Sequence, residues 1–286
     1  MQIISVSKNV TEFDELLKLD TDLVKEVLVG FLRREAGRFG FEKAVVGVSG
    51  GIDSALSCFL AAEAYGPKNV LALRMPYKTS SPDSLIDAQK VIDALGVASE
   101  TVEITPMVEP LFQMTEGMDR RRKGNVMART RMIVLYDRSV AWNGLVIGTS
   151  NKTELLVGYS TQWGDSASAI NPIGDLYKTQ VRQMARALGV PESIIAKPPS
   201  ADLWQGQTDE GELGISYEEA DKILYLLFDL RYRREEVAAA GFDGRKVNRL
   251  WNMVRRSQYK RSLPIIAKIS TRTVGWDFRY PRDWGS

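Results

Sequence analysis

Within the six residues Ser49-Gly50-Gly51-Ile52-Asp53-Ser54 the chain places two hydroxyls, a glycine pair and a carboxylate, directly after the apolar run Ala44-Val45-Val46-Gly47-Val48. The glycines let a backbone come close to an anion and present its N–H groups, and a helix starting there adds about half a positive charge at its N-terminus. Ser49 and Ser54 can donate to phosphate oxygens. Asp53 is out of place in a phosphate cradle unless it holds a cation, and Mg2+ bridging Asp53 and a polyphosphate removes that conflict. Gly47, Val48, Ser49, Gly50, Gly51, Ile52, Asp53 and Ser54 are therefore read as one nucleotide-phosphate loop.

Three other motifs compete for this loop. A Walker A loop needs a lysine at the helix start, and a dinucleotide fingerprint needs Gly-x-Gly-x-x-Gly; neither is present. Gly47-Val48-Ser49-Gly50-Gly51 does match a Gly-x-Ser-x-Gly nucleophile elbow. That reading fails for want of a base, because the 286 residues contain no histidine. The same absence removes the Cys-His pair and the common zinc sites. Chemistry falls to carboxylates, lysines, arginines, hydroxyls and backbone amides, and a bound metal must be oxygen-liganded. A turn merely rich in glycine and serine is the plainer alternative; glycine pairs are common, the full string is not.

The elements that position the loop follow from apolar patterning. Asp20 or Thr21 caps a helix carrying Leu23, Val24, Val27, Leu28, Phe31 and Leu32. Strands are expected at 44–48, 70–74, 101–104 and 145–148. Between them lie helices from about Ser54 to Tyr65, from Ser81-Pro82 to Gly96, and from Met127 to Trp142. Asp175 is expected to cap a helix closing at Leu188-Gly189. Short apolar strands alternating with helices imply a doubly wound parallel sheet of the α/β class, with ligands beyond the carboxyl ends of the strands. The chain is helical from Ile215 onward and ends in an aromatic, basic tail from Arg272 to Trp284. One domain with helical extensions at both ends is expected.

Charge and cysteine content narrow the class. A net charge of +2 gives no electrostatic case for nucleic acid or a membrane surface. No apolar run is long enough to span a bilayer, and a single cysteine, Cys58, suits a reducing cytoplasm. The basic cluster Arg120-Arg121-Arg122-Lys123 reads as a solvated helix face.

The Ser-Gly-Gly-Ile-Asp-Ser string resembles the pyrophosphate loop of ATP pyrophosphatases that adenylate their substrates. Further segments resemble NAD synthetases in order and spacing: Gly148-Thr149-Ser150-Asn151-Lys152-Thr153-Glu154, Gly158–Asp165, Pro172–Thr179, Pro198–Trp204 and Gln207–Glu212. The resemblance covers about Leu23 to Ile269. It implies an adenine nucleotide alpha hydrolase-like, Rossmann-like three-layer fold. It further implies Mg2+ on Asp53 and Glu154, and ATP contacts from Arg74, Thr149, Lys178 and Ser200, the last replacing the family's usual threonine. Deamido-NAD contacts are implied for Arg129, Gln162, Ala169, Tyr259 and Lys260. Taken alone, Glu154 reads as a solvated carboxylate and Lys178 as an exposed first-turn residue.

Ammonia-dependent members usually carry lysine at Gln162 and aspartate at Ala169. The stretch Tyr159-Ser160-Thr161 with Gly164-Asp165 is more similar to the synthetase portion of glutamine-dependent members. For the nitrilase-like glutaminase domain of those enzymes the chain has neither the length nor the cysteine, so nitrogen is expected from free ammonia or a separate glutaminase. The implied activity is ATP- and Mg2+-dependent amidation of deamido-NAD to NAD through an acyl-adenylate, with Asp53, Glu154, Lys178 and Asp165 as catalytic residues. Asp165 has the role of binding or deprotonating ammonium, and residues 198–212 that of a lid. A homodimer in the cytoplasm is implied. The alternatives are a tRNA-thiolating enzyme, which needs catalytic cysteines, and a non-catalytic nucleotide-binding regulator.

Overall fold

In the computed structural model, which describes residues 13–200 and 208–273, a single turn α1 (Phe13–Leu16) precedes α2 (Thr21–Gly37). The Asp20 carboxylate accepts from the Leu23 N–H at 3.1 Å and so caps α2, satisfying one of its orphan donors. Then β1 (Ala44–Gly47), α3 (Ile52–Tyr65), β2 (Val70–Arg74), α4 (Pro82–Leu95), β3 (Ala98–Thr101), α5 (Thr105–Gln113), α6 (Arg120–Trp142) and β4 (Leu145–Ile147) alternate along the chain. The strands form one sheet in the order β3-β2-β1-β4, every neighbouring pair parallel.

Parallel strands need crossovers, and the crossover helices cover both faces of the sheet. Side chains alternate accordingly along β1. Ala44 and Val46 face a core built with α2, α3 and α4, whereas Val45 packs with Leu71, Leu73 and Val134 of α6 on the other side. All of them are buried. Such two-sided burial is why β1 and β2 read as continuous apolar runs. The chain leaves β1 toward β2 and β3, then returns to add β4 on the opposite side. The carboxyl ends of β1 and β4 thus flank the point where strand order reverses, the place where open α/β sheets bind ligands.

The second half of the chain is helical: α7 (Lys152–Val157), α8 (Lys178–Ala187), α9 (Glu192–Ile195), α10 (Asp209–Leu213), α11 (Tyr217–Leu224), α12 (Arg234–Ala239) and α13 (Gly244–Arg256). Helix α8 joins α2 and α3 on the first face through Val181, Met184 and Ala185. Helices α10 to α13 build a separate apolar cluster around Tyr217, Ile223 and Leu250, closed by Val157 of α7 and Tyr177.

Three sequence expectations are corrected. The third strand is Ala98–Thr101 rather than 101–104. As an edge strand, largely exposed, it needs no apolar run, and the apolar Ile104 instead starts α5. Asp175 does not cap α8: the helix begins at Lys178, the Gln180 side chain accepts from the Tyr177 N–H at 2.9 Å, and exposed Asp175 pairs with Lys152 at 3.0 Å. The helix expected from Met127 starts earlier, at Arg120, because Asp119 accepts from the Arg122 N–H at 2.8 Å. Residues 201–207 of the expected lid and the tail beyond Thr273 lie outside the described residues.

Gly50 has φ +85°, and a Cβ there would lie 2.2 Å from the Ser84 carbonyl oxygen of α4. Gly50→Ala combines left-handed strain with a backbone clash, so a loss of roughly 3 kcal/mol of stability is expected. Urea unfolding measures it; a change within error would show that α4 can retreat from the loop.

Candidate active site

The phosphate loop is held open by its own hydroxyls. Ser54 Oγ accepts from the Ser49 N–H at 3.1 Å and donates to the Gly51 carbonyl at 2.9 Å, while the two serine hydroxyls lie 3.1 Å apart. Gly51, the N-cap of α3, makes no side-chain capping bond, so the first N–H groups of α3 have no side-chain cap. Asp53 stands in the first turn of that helix, facing the loop after β4.

That loop is set by a capping box. Asn151 Oδ1 accepts from the Glu154 N–H at 3.0 Å, and Glu154 Oε2 accepts from the Asn151 N–H at 3.3 Å. Asn151 Nδ2 also donates to Asp53 Oδ1 at 2.8 Å, tying α7 to α3. From α8, Lys178 Nζ reaches both carboxylates: it contacts Asp53 Oδ2, and Glu154 Oε1 lies at 3.4 Å. Lys178 is only 2% exposed, with its ammonium 5.1 Å from the centroid of the Tyr217 ring. It is not the exposed residue its position in the sequence alone would indicate.

The backbone behind this triad is equally fixed. Thr153 Oγ1 donates to Asp221 Oδ1 at 2.6 Å and accepts from the Lys178 N–H at 3.0 Å. Asp221 Oδ2 accepts from the Thr179 N–H at 2.8 Å. Fully buried Asp221 thereby locks the first turns of α7 and α8 together, and burial pushes its pKa up to about 6.

Electrostatically the pocket is rich in negative charge. Burial and the neighbouring Asp53 raise the Glu154 pKa well above the usual carboxylate range, with Lys178 pulling the other way. Burial disfavours the Lys178 ammonium, yet Asp53 and Glu154 outweigh it and raise its pKa. Asp209, 4% exposed, is raised by burial; its Oδ2 accepts from Tyr217 Oη at 3.2 Å and its buried Oδ1 has no partner. Oxygen-only donors, an unpartnered carboxylate oxygen and surplus negative charge fit a hard divalent cation. Among the described residues no group of three or more His, Cys, Asp or Glu forms a metal site. Two carboxylates would then be completed by water and phosphate, the usual composition of a Mg2+ site.

A cavity of about 900 Å³ opens over these groups. It is lined by the whole loop from Gly47 to Ser54, by Arg74, Thr149, Glu154, Lys178 and Ser200, and by Arg129, Gln162, Asp165, Tyr259 and Lys260. Ala169 is the exception: it is exposed, binds β4 through its N–H to the Val146 carbonyl at 3.0 Å, and does not line the cavity. Arg74 is held by Gln89 of α4, leaving its buried Nε without a partner. Arg129 is exposed and donates to the Gln162 carbonyl at 3.3 Å. Lys260 spends its ammonium on the Gly158 and Ser160 carbonyls at 2.7 and 2.6 Å, shaping the 158–160 loop. Asp165 keeps accessible surface at the cavity wall although protein atoms surround its carboxylate; this poor hydration raises its pKa, while its Oδ1 accepts from the Thr161 N–H at 2.8 Å.

Sequence reasoning missed Asn151, Asp221, Arg121 and Lys197, of which the last two also line the cavity. The Asn151-x-x-Glu154 spacing was the available signal for the capping box. Arg121 was hidden in a basic cluster that is exposed throughout, and of that cluster it alone lines the cavity.

The raised Glu154 pKa has a testable sign. The folded protein binds this proton more tightly than the unfolded chain, so Glu154 costs stability increasingly as pH rises from its ordinary value of 4.5. Glu154→Gln is expected to melt above wild type at about pH 8.5, with the gap shrinking toward about pH 5. Calorimetry at both values reads it, and a gap independent of pH would refute the assignment.

Comparison with known proteins agrees with this geometry. The NAD synthase family matches residues 24–264. The NH(3)-dependent NAD(+) synthetase of Trichlorobacter lovleyi is 55% identical over 269 residues, covering 94% of this chain and 98% of the relative. Among solved structures, the NMN synthetase of Francisella tularensis superposes with a TM-score of 0.78 at 33% identity, covering 87% of this chain and 99% of that one. The NH3-dependent NAD synthetase of Campylobacter jejuni gives 0.75 at 32% identity, with 87% and 100% covered. A parallel sheet with its loop, its Asp53–Lys178–Glu154 triad and a match over most of its length place the chain in the NAD synthase family.

Proposed function

We propose that the protein is an ammonia-dependent NAD synthetase, with residues 1–286 as one synthetase domain. The observation that carries the reading is the buried Lys178 ammonium between Asp53 and Glu154, at the mouth of a phosphate loop. The name carried by the Trichlorobacter lovleyi relative supports ammonia as nitrogen source and NAD as product, and deamido-NAD is the acceptor whose amidation gives NAD.

A carboxylate oxygen of the nicotinate ring attacks the α-phosphorus of ATP, and the bond to pyrophosphate breaks. The N–H groups of residues 49–54 and the Lys178 ammonium stabilise the charge gathering on the leaving group. Asp53 and Glu154 would hold Mg2+, which supplies further charge neutralisation when bound. Ammonia then attacks the acyl carbon and displaces AMP. Ammonium must lose a proton before it can attack, and Asp165, with its pKa raised, is suited to accept it. Arg129, Gln162, Tyr259 and Lys260 form the opposite wall and receive deamido-NAD, while Arg74, Thr149 and Ser200 receive ATP.

A thiolating activity does not fit: Cys58 is buried in α3, and burial pushes its pKa up to about 12, so no thiolate is available. No helix among the described residues is long and apolar enough to cross a membrane, which accords with a place in the cytoplasm. Ile133 and Val140, seven residues apart and so on one face of α6, are exposed apolar side chains, and they support a homodimer through that face.

The deciding assay mixes purified protein with Mg2+, ATP, deamido-NAD and ammonium and detects NAD and pyrophosphate. NAD formation is expected, and Asp53→Asn is expected to lower pyrophosphate release at least about a hundredfold. Pyrophosphate formed only with the deamido form of NMN would move the acceptor, and near-normal turnover of Asp53→Asn would sink the triad. Val140→Asp is expected to shift the sedimentation coefficient from dimer to monomer; an unchanged dimer would exclude this face of α6.

A further inference from the structure

Outside the triad, one other nearly buried carboxylate among the described residues is held by lysines. Asp87 of α4 is 6% exposed; its Oδ1 accepts from Lys90 at 2.9 Å and its Oδ2 from Lys197 at 2.9 Å. Lys90 also donates to Ser193 Oγ of α9 at 3.0 Å. Burial alone would push the Asp87 carboxyl up, yet the two ammonium groups bring it below the usual range, so it is a firmly charged anchor. These side chains line a second, open cavity of about 370 Å³. Lys197 alone among the three charged partners also lines the large nucleotide cavity.

The position of Asp87 on α4 gives the pair its meaning. Ser84 lies one helical turn before Asp87 on the same face, and its carbonyl abuts Gly50 of the phosphate loop. Helix α4 therefore touches the phosphate loop with one turn and grips Lys197 with the next. After Lys197 come Pro198, Pro199 and Ser200, all lining the nucleotide cavity. Two consecutive prolines fix two φ angles, so a displacement at Lys197 passes to Ser200 rather than being absorbed between them. The Pro199 carbonyl in turn accepts from the Asp209 N–H at 3.0 Å, and Asp209 lines the same cavity as Lys178.

We propose that Asp87 is a positioning residue for the nucleotide: through Lys197 it sets the 198–200 wall at the distance from the phosphate loop that ATP requires. The proposal rests on the ATP-dependent reading above. It distinguishes Lys197, whose pairing is transmitted to the wall, from Lys90, whose pairing stays on the outer surface.

Steady-state kinetics of Asp87→Asn, Lys197→Met, the double variant and Lys90→Met tests this. Asp87→Asn and Lys197→Met are each expected to raise KM for ATP about tenfold, with kcat within about twofold and KM for deamido-NAD unchanged. The double variant is expected to be no worse than the more severe single change, Lys197→Arg to restore the KM, and Lys90→Met to leave it near wild type. Multiplying effects in the double variant, an unchanged ATP KM, or an equal defect in Lys90→Met would overturn it. Calorimetric binding of a non-hydrolysable ATP analogue with Mg2+ gives the same comparison without turnover. A wild-type protein that binds the analogue but makes no NAD would therefore sink the synthetase reading while still judging Asp87.

Discussion

A lysine ammonium at 2% exposure is costly unless a charged partner meets it, and a buried charge left with no partner at all costs about 3–5 kcal/mol. Lys178 is in that position, and its partners come from two other helices. Asp53 sits at the second position of α3 and Glu154 at the third position of α7, where a carboxylate is favoured by the positive end of the helix. Lys178 occupies the first position of α8, the wrong end for a cation. The two acids offset that placement, so three helix starts must converge on one point. Asn151, Thr153 and Asp221 serve that convergence by bonding the first turns to one another.

The sheet explains why convergence occurs there. All strands run parallel, so every loop after a strand opens on the same edge, and reversal of strand order between β1 and β4 leaves a crevice at that edge. The phosphate loop follows β1 and the Asn151 cap follows β4. Neither segment would meet the other in an antiparallel arrangement, where successive loops open at opposite ends. The site is thus a consequence of topology first and of side-chain choice second.

What was legible in the sequence followed the range of the forces involved. The phosphate loop was readable because its glycines, serines and aspartate act within a few residues of one another, and β1 and β2 because burial on both faces demands apolar runs. The edge strand was misplaced because exposure removes that demand. The start of α8 was misplaced because Asp175, a good capping residue by type, bonds Lys152 while Gln180 does the capping. Lys178 was recognisable through the resemblance but not from its own surroundings. Its burial depends on Asp53, 125 residues away in sequence, and on the Tyr217 ring. Ala169 shows the opposite failure, since a matching position did not tell that its side chain misses the cavity.

Asp221 also shows why the helical half of the chain cannot be regarded as decoration on an α/β core. Its helix, α11, belongs to the second apolar cluster, yet its carboxylate holds the two turns that carry Glu154 and Lys178. Apolar packing at such a seam would bind the two halves without fixing their register, because hydrophobic contact is non-directional. A buried carboxylate receiving a hydroxyl and a backbone N–H fixes both distance and orientation, and desolvation makes any slipped arrangement costly. The chemistry at the cavity needs that kind of constraint: Lys178 and Glu154 must meet Asp53 to within a hydrogen bond, and only a directional contact transmits such precision from one half of the protein to the other.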